Sequence, residues 1–370
     1  MSLPLPDLTH ERVVLTTGRR SGLPIAVALH SSALGPALGG CRLWTYPRWE
    51  DALGDVLRLS AAMTLNNAAA GLDMGGGKSV IALPMGERLD PLRRRCALLD
   101  LGDVVESFGG TYRTAEDVGT TEDDMLVVRE RTDHVVGTPE GAGGGGEPAG
   151  PTARGVYSAI APTLLEATGS ARIEGRRMVI SGLGQVGGSL ARMLAADGAE
   201  LLVTDIDPGK QALAAELGAT WIEADQALVT EADVLIPAGI GGILTAEVIA
   251  DLPVRAVVGP ANKPLGERSG AEELAARGIV YAPDFVVNAG GVIHLGLMAD
   301  GVDPAQIRER VSGIGSTLTA VFATARDTGT TPLAAAEALA QARIAAATAA
   351  TPGKEPSAVG GSGTDVPHLG

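Results

Sequence analysis

The sequence predicts an α/β protein of two domains, a mixed α/β N-terminal domain and a C-terminal domain on a doubly wound parallel sheet. Three observations lead there. At 370 residues the chain exceeds the size at which one hydrophobic core keeps growing, so it is expected to split. Residues 141–150 read GAGGGGEPAG, a run with no apolar period that fits only a loop or hinge and marks the boundary. Beyond it, short apolar runs recur roughly every 20 to 30 residues between helix-compatible stretches, the alternation of parallel strands with crossover helices.

Before the boundary, residues 13–31 hold two strand-like runs around a Gly-containing turn. Residues 49–67 read as a helix with Leu53, Val56, Leu57 and Met63 on one face. A strand over 79–83, a helix over 93–108 and a polar loop over 111–124 that opens another helix complete the first half. After the boundary the expected strands are 178–181, 201–204, 234–237, 256–259 and 280–282. Ala-rich helices are expected over 305–327 and 332–350, the last packing back on the first domain. The domains are thus expected at 1–140 and 141–330, with a disordered tail over 351–370, which is rich in Gly, Pro and Ser.

The net charge of −15, from 29 Lys plus Arg against 44 Asp plus Glu, opposes both the phosphate backbone of nucleic acid and an anionic membrane. With 3 Trp, 4 Tyr and 3 Phe there are few stacking platforms for bases. Small molecules are the expected partners, with no nucleic acid and no membrane. Cys41 and Cys96 are too few for a disulfide framework or a Cys-rich metal site, and no metal is expected. The first nine residues lack a basic region followed by an apolar core, and apolar runs fall far short of the ~20 residues of a membrane span, so a cytoplasmic protein is expected. Glycine is the anomaly: 51 residues, about twice the usual share.

Some of that glycine has a defined task. After the strand at 178–181, Gly182-Leu183-Gly184-Gln185-Val186-Gly187 opens a helix. Gly182 permits a tight turn, Gly184 lets backbone approach a pyrophosphate, and Gly187 lets helix and strand pack closely. The helix N-terminus then faces the diphosphate. Asp205 ends the next strand, 18 residues after Gly187, where a carboxylate accepts the ribose hydroxyls and repels a 2′-phosphate. NAD is the expected cofactor. Asp207 suits a cap for the following turn.

Gly75-Gly76-Gly77-Lys78 is not a phosphate loop, because Leu72 stands where that motif needs its first glycine. Three glycines instead let the backbone fold closely round one buried amine. Desolvated beside an oxidised nicotinamide, itself a cation, Lys78 is poised as a general base. A surface lysine after a loop is the plainer alternative.

GPALGGCR at 35–42, MTLNNAAAGLDMGGGKSV at 63–80, TAEDVGTT at 114–121, the turn at 182–187 and YAPDFVVNAGGVIH at 281–294 together resemble the NAD-dependent amino-acid dehydrogenases. Within that superfamily, which includes glutamate dehydrogenase, the chain is similar to the leucine, valine and phenylalanine branch, from about residue 10 to 345. The resemblance implies reversible oxidative deamination of a hydrophobic L-amino acid to its 2-oxo acid and ammonia, by a homo-oligomer. It makes Lys78 the base that activates water against the imine, and Asp117 the group that exchanges protons with ammonia. Asp117 also suits an Asx turn. It places Leu38, Gly39, Gly40, Asn66, Ala115, Asn262, Val292 and Leu295 at the substrate, the apolar ones favouring an aliphatic or aromatic side chain. Thr152, Ala238 and Asn288 join Gly182, Gly184, Gln185, Val186, Gly187 and Asp205 at the cofactor. Thr152 independently reads as the N-cap of a helix running to Glu166. His294 is given no catalytic role. Gly39, Gly40, Gly75 to Gly77, Gly290 and Gly291 are expected where backbone approaches substrate or cofactor.

One departure matters. The family has a lysine at the position of Asn66, where it pairs with the substrate carboxylate. Asparagine is shorter and offers only a neutral donor. Three readings follow. Arg42 or another cation compensates and amino-acid activity is weakened; or the chain is an amine dehydrogenase for amines and ketones lacking the carboxylate; or it is an inactive NAD-binding regulatory protein, which the presence of both Lys78 and Asp117 opposes.

Overall fold

The computed structural model describes residues 8–142 and 144–350, so the expected tail at 351–370 lies outside the described residues. The first half runs β1 (Arg12–Thr17), β2 (Pro24–Ser31), β3 (Ala37–Leu38), β4 (Cys41–Tyr46), α1 (Trp49–Ala69), β5 (Gly75–Pro84), α2 (Pro91–Glu106), β6 (Tyr112–Arg113) and α3 (Glu122–Arg129). Its sheet has the order β1-β2-β5-β3-β6, with β4 also paired to β5. β1 and β2 form the expected antiparallel hairpin, and β5 pairs antiparallel with β2 but parallel with β3 and β4.

The central strand β5 starts at Gly75, so the three glycines are strand and not loop. Glycine is depleted in strands, which hid this in the sequence. The structure shows why it is used. A Cβ on Gly75 would overlap the Ser31 carbonyl, one on Gly76 would overlap the backbone of Thr64 in α1, and one on Gly77 would lie 2.5 Å from the Tyr112 ring. Asn67 at the end of α1 fastens the same crossing, its side-chain amide donating to Gly75 O at 2.6 Å and Leu38 O at 3.3 Å. The expected polar loop at 111–124 is likewise more ordered. Cys41 N donates to Ala115 O at 2.8 Å and Leu43 N to Val118 O at 3.0 Å, so this segment runs beside β4. It ends in a reciprocal cap between Thr121 and Asp124 that starts α3.

The second half runs α4 (Ala149–Thr168), β7 (Arg177–Ser181), α5 (Gln185–Ala196), β8 (Glu200–Thr204), α6 (Gln211–Glu216), β9 (Thr220–Trp221), β10 (Ala232–Pro237), α7 (Ala246–Asp251), β11 (Val254–Val257), α8 (Gly270–Ala276), β12 (Val280–Tyr281), α9 (Asp284–Val287) and α10 (Gly290–Ala299). α11 (Pro304–Ser312), α12 (Ile314–Thr328) and α13 (Pro332–Ala350) follow. The sheet order is β12-β11-β10-β7-β8-β9, every pairing parallel. This is the doubly wound sheet expected, and its order reverses between β7 and β10. Ligands of such sheets bind at that reversal, outside the carboxyl ends of the strands.

Three local expectations are corrected. The Gly-rich segment is shorter than its composition implied, because Glu140–Ala142 is a 3-10 turn and α4 already begins at Ala149. Thr152 therefore sits inside the first turn of α4 and caps nothing; its hydroxyl donates to Pro148 O at 2.8 Å. The single helix expected over 305–327 is two, broken at Gly313, where glycine's low helix propensity is least able to resist a change of direction. α13 lies on α1, with Ala335, Ala336 and Ala340 against Ala68 and Ala69, and Arg343 donating to Leu72 O and pairing with Asp73, both at 2.6 Å. Among the described residues, no helix is long and apolar enough to cross a membrane.

Candidate active site

The two halves enclose a cleft of about 380 Å³. From the first half it is lined by Leu38, Gly39, Gly40, Asn66, Lys78, Ala115 and Asp117, and from the second by Thr152, Val186, Ala238, Asn262, Asn288, Val292 and Leu295. These residues, scattered over the sequence, are brought together. Gly182, Gly184, Gln185, Gly187 and Asp205 do not line it; they lie at the ends of β7 and β8, in and beside the Gly-rich turn. Met63, Glu116, Phe285 and Pro260 line the cleft without having been singled out as site residues. Met63 stands three residues before Asn66 on α1, a spacing that puts both on one face. Glu116 could have been read from its neighbour Asp117.

Lys78 is buried on β5, its side chain 7% exposed, with Nζ 3.1 Å from Asp117 Oδ1. The plainer alternative of a surface lysine is thereby removed. Asp117 Oδ2 accepts from Arg42 Nε at 3.1 Å. Arg42 Nη1 also pairs with Asp55 at 3.1 Å, and Asp55 in turn accepts from Tyr46 OH at 2.7 Å. Burial pushes the Asp117 carboxyl up, but the charges of Lys78 and Arg42 and their hydrogen bonds outweigh it and hold the group below the usual carboxylate range. The side chain thus serves Lys78 and Arg42, while the turn at this point is closed by the backbone, Thr120 N donating to Asp117 O at 3.0 Å.

Arg42 does not line the cleft, and its guanidinium is shared between two carboxylates. It is not available to replace a lysine at 66. Among the described residues, Lys78 is the one basic side chain lining the cleft, and it is committed to Asp117. Neutral donors stand there instead. Asn288 Nδ2 donates to Asn262 Oδ1 at 2.8 Å, which leaves the Asn262 amide nitrogen as that side chain's group for a ligand. Asn66 also lines the cleft, while its neighbour Asn67 is fully buried in the α1–β5 contact.

The Gly-rich turn fits a dinucleotide. Gly182 has φ +114°, and a Cβ there would meet the Ala238 carbonyl carbon at 2.8 Å; a Cβ on Gly187 would overlap Gly182 O. Around Gly184 a Cβ would meet nothing within 4 Å, so this is where an incoming pyrophosphate has room against backbone. Gly184 also precedes α5 without any side-chain cap, which leaves the first N–H groups of a 12-residue helix to a ligand. Asp205 Oδ2 accepts from Leu183 N at 2.6 Å and Oδ1 from Asp207 N at 2.8 Å, bracing the turn against β8. Gly39, Gly40 and Gly291 line the cleft, and close backbone contact also requires glycine nearby: a Cβ would overlap Gly77 O at Gly39, Glu116 O at Gly40 and Pro151 O at Gly290. Gly184→Ala is therefore expected to leave the Tm of the free protein unchanged and to weaken NADH binding by about tenfold or more, one step of ~1.4 kcal/mol. Calorimetry and NADH fluorescence titration check this; a lowered Tm with unchanged affinity would assign Gly184 to the fold.

Residues 10–134 match the model of the Glu/Leu/Phe/Val dehydrogenase dimerisation domain, and residues 203–351 that of glutamate/leucine/phenylalanine/valine dehydrogenase. Leucine dehydrogenase of Bacillus cereus is 39% identical over 343 residues, 92% of either chain. The chain belongs to the glutamate/leucine/phenylalanine/valine dehydrogenase family. Valine dehydrogenase of Streptomyces virginiae is also 39% identical, over 90% of this chain and 94% of that one. The crystal structure of L-tryptophan dehydrogenase from Nostoc punctiforme superposes with a TM-score of 0.79 at 33% identity, covering 92% of this chain and 97% of that one.

Dehydrogenases of this family are oxidoreductases that use NAD or NADP. In this member Leu38, Ala115 and Leu295 are buried at 2%, 4% and 7% exposure and, with Val292, form the apolar part of the cleft wall. Behind Leu295 lies a second cavity of about 340 Å³, bordered by Val136, Gly137 and Met298. His294 points away from this chemistry, its Nε2 donating to Gly145 O at 2.6 Å.

Proposed function

We propose that the chain catalyses reversible, NAD-dependent oxidative deamination of a hydrophobic L-amino acid to its 2-oxo acid and ammonia, with the substrate carboxylate held by neutral amides. The Lys78–Asp117 pair, 3.1 Å apart in a cleft that is lined by Leu38, Ala115, Val292 and Leu295 and, from the Gly-rich turn, by Val186, carries this reading. When bound, the dinucleotide supplies the hydride acceptor. In its neutral amine form, Lys78 Nζ takes a proton from the water that adds to the substrate imine. Asp117, kept ionised by Lys78 and Arg42, relays protons to and from the departing ammonia. The amide nitrogens of Asn66 and Asn262 donate to the carboxylate, and Leu38, Ala115, Val292 and Leu295 exclude a charged side chain. Thr152 and Asn288 stand where they can hold the nicotinamide carboxamide, beside Val186 and Ala238. Asp205 opposes a 2′-phosphate and so favours NAD over NADP. A homo-oligomer and a cytoplasmic setting belong to the same reading, the former supported by the match to a dimerisation domain.

A second reading, an amine dehydrogenase for substrates without a carboxylate, is favoured by one observation: the only basic side chain lining the cleft among the described residues is already paired. NADH formation from a panel of L-amino acids and the matching decarboxylated amines at pH 6 and at alkaline pH, repeated with NADP, separates these. The expected result is the highest kcat/KM for aliphatic or aromatic L-amino acids with NAD. Preference for the amines would establish the second reading, and NAD binding without any turnover would establish a regulatory protein.

A further inference from the structure

Glu116 lines the same cleft as Asn66 and Asn262, next to Asp117 in sequence, yet takes no part in the Lys78 pair. It is held in place by its backbone, which bridges to Cys41 and whose carbonyl occupies the space a Cβ on Gly40 would need, and by the Glu122 backbone N–H at the start of α3, whose hydrogen bond to its carboxyl partly offsets the upward push. The charges around it are mostly of its own sign: Glu122 from α3, Glu147 from the segment before α4, and Asp117 beside it. α1 presents only the neutral Met63 and Asn66 to the cleft, and Cys41 behind it is a thiol pushed up to about 12 by burial. On β5, Lys78 is neutralised by Asp117, which Arg42 of β4 also approaches. With Lys78 and Asp117 cancelling, the net charge that the cleft-lining side chains present is set by Glu116.

We propose that Glu116 is a specificity-determining residue that decides whether the cleft admits an α-carboxylate. As a neutral acid its O–H donates to the carboxylate alongside the Asn66 and Asn262 amides. As a carboxylate it places a second negative charge in a cleft with no unpaired cation and rejects an anionic substrate, while a neutral or cationic one is unaffected or favoured. Burial, together with Glu122 and Glu147, raises the Glu116 carboxyl to about 7, which sets the change in the neutral range. In a relative with lysine at position 66 that cation would stabilise the ionised form; Asn66 removes it. The inference rests on the amino-acid dehydrogenase reading for its consequence but not for its test.

The test compares two unreactive probes of one shape, 4-methylpentanoate and 4-methylpentanamide, as competitive inhibitors of whichever substrate the panel identifies. Taking the ratio of their inhibition constants cancels every titration that affects both. Between pH 6 and pH 8 the affinity for the acid relative to the amide is expected to fall about tenfold in the wild type, the change in the protonated fraction of a group near 7. Glu116→Gln keeps shape and a donor without titrating, so its ratio is expected to stay flat at the wild-type pH 6 level. Asn66→Lys, a second variant, is expected to bind the acid more tightly than wild type at pH 8 and to flatten the slope. A flat wild-type ratio, or a tenfold slope that persists in Glu116→Gln, overturns the proposal. Failure of the amino-acid reading is a separate result, since it appears as amine-only turnover at pH 6 as well as at alkaline pH, whereas ionised Glu116 disfavours the acid only at the higher pH.

Discussion

Lys78→Ala is expected to lower kcat for oxidative deamination by about 10²- to 10⁴-fold, the range for loss of a positioned general base. The proposed dinucleotide contacts lie on the other half of the molecule, so NADH affinity is expected to be unchanged. The side chain is buried on the central strand, so truncation leaves a space of lysine shape bordered by Asp117 Oδ1, the atom 3.1 Å from Nζ in the intact protein. A small primary amine fits that space, and millimolar ethylamine is expected to restore part of kcat in Lys78→Ala and none in Asp117→Ala. Removing one partner of a buried pair is commonly costly, but Asp117 retains Arg42 at 3.1 Å, which limits the effect on folding. Steady-state rates with and without amine, alongside a melting curve, decide the matter. A variant that keeps kcat within tenfold of wild type would remove Lys78 from the chemistry.

The second half of the fold was legible because its strands are buried on both faces and therefore read as plain apolar runs, as in residues 178–181 and 234–237. The first half was less so. β3 and β6 are two residues each, too short for any alternation to show, and Gly75 to Gly77 look like loop by propensity although they pack under α1. Lys78 and Asp117 could be named from their motifs, and the structure brings them within 3.1 Å. What no motif shows is how charge is divided among partners distant in sequence. Arg42 looked free to meet a substrate carboxylate, but it is taken up by Asp55 and Asp117. Glu116 was not singled out by any motif, and the charges that act on its carboxyl, among them Glu122 and Glu147, are brought beside it by the fold.

Position 66 is where the resemblance implies a lysine and this chain has Asn66, and the structure separates this residue from the fold. Asn66 and Asn67 are adjacent on α1 and of one type, yet a helix turns about 100° per residue, so they do different work. Asn67 is buried and ties α1 to β5; Asn66 lines the cleft, and its side chain makes no hydrogen bond among the described residues. Asn66→Lys is therefore expected to leave Tm within a degree or two of wild type while changing selectivity. A charge-assisted bond to the carboxylate contributes about 1.5–3 kcal/mol, which corresponds to roughly 10- to 150-fold in kcat/KM for an L-amino acid relative to its decarboxylated amine. Glu116 works against the upper end of that range, because a new ammonium can pair with its carboxylate as well as with the substrate's. The double variant Asn66→Lys/Glu116→Gln is accordingly expected to exceed Asn66→Lys alone in preference for the acid. If the single variant shifts the ratio by less than about tenfold, and the double variant does no better, then the carboxylate is already held as well by amides as by a cation, and the departure at 66 has no bearing on substrate choice.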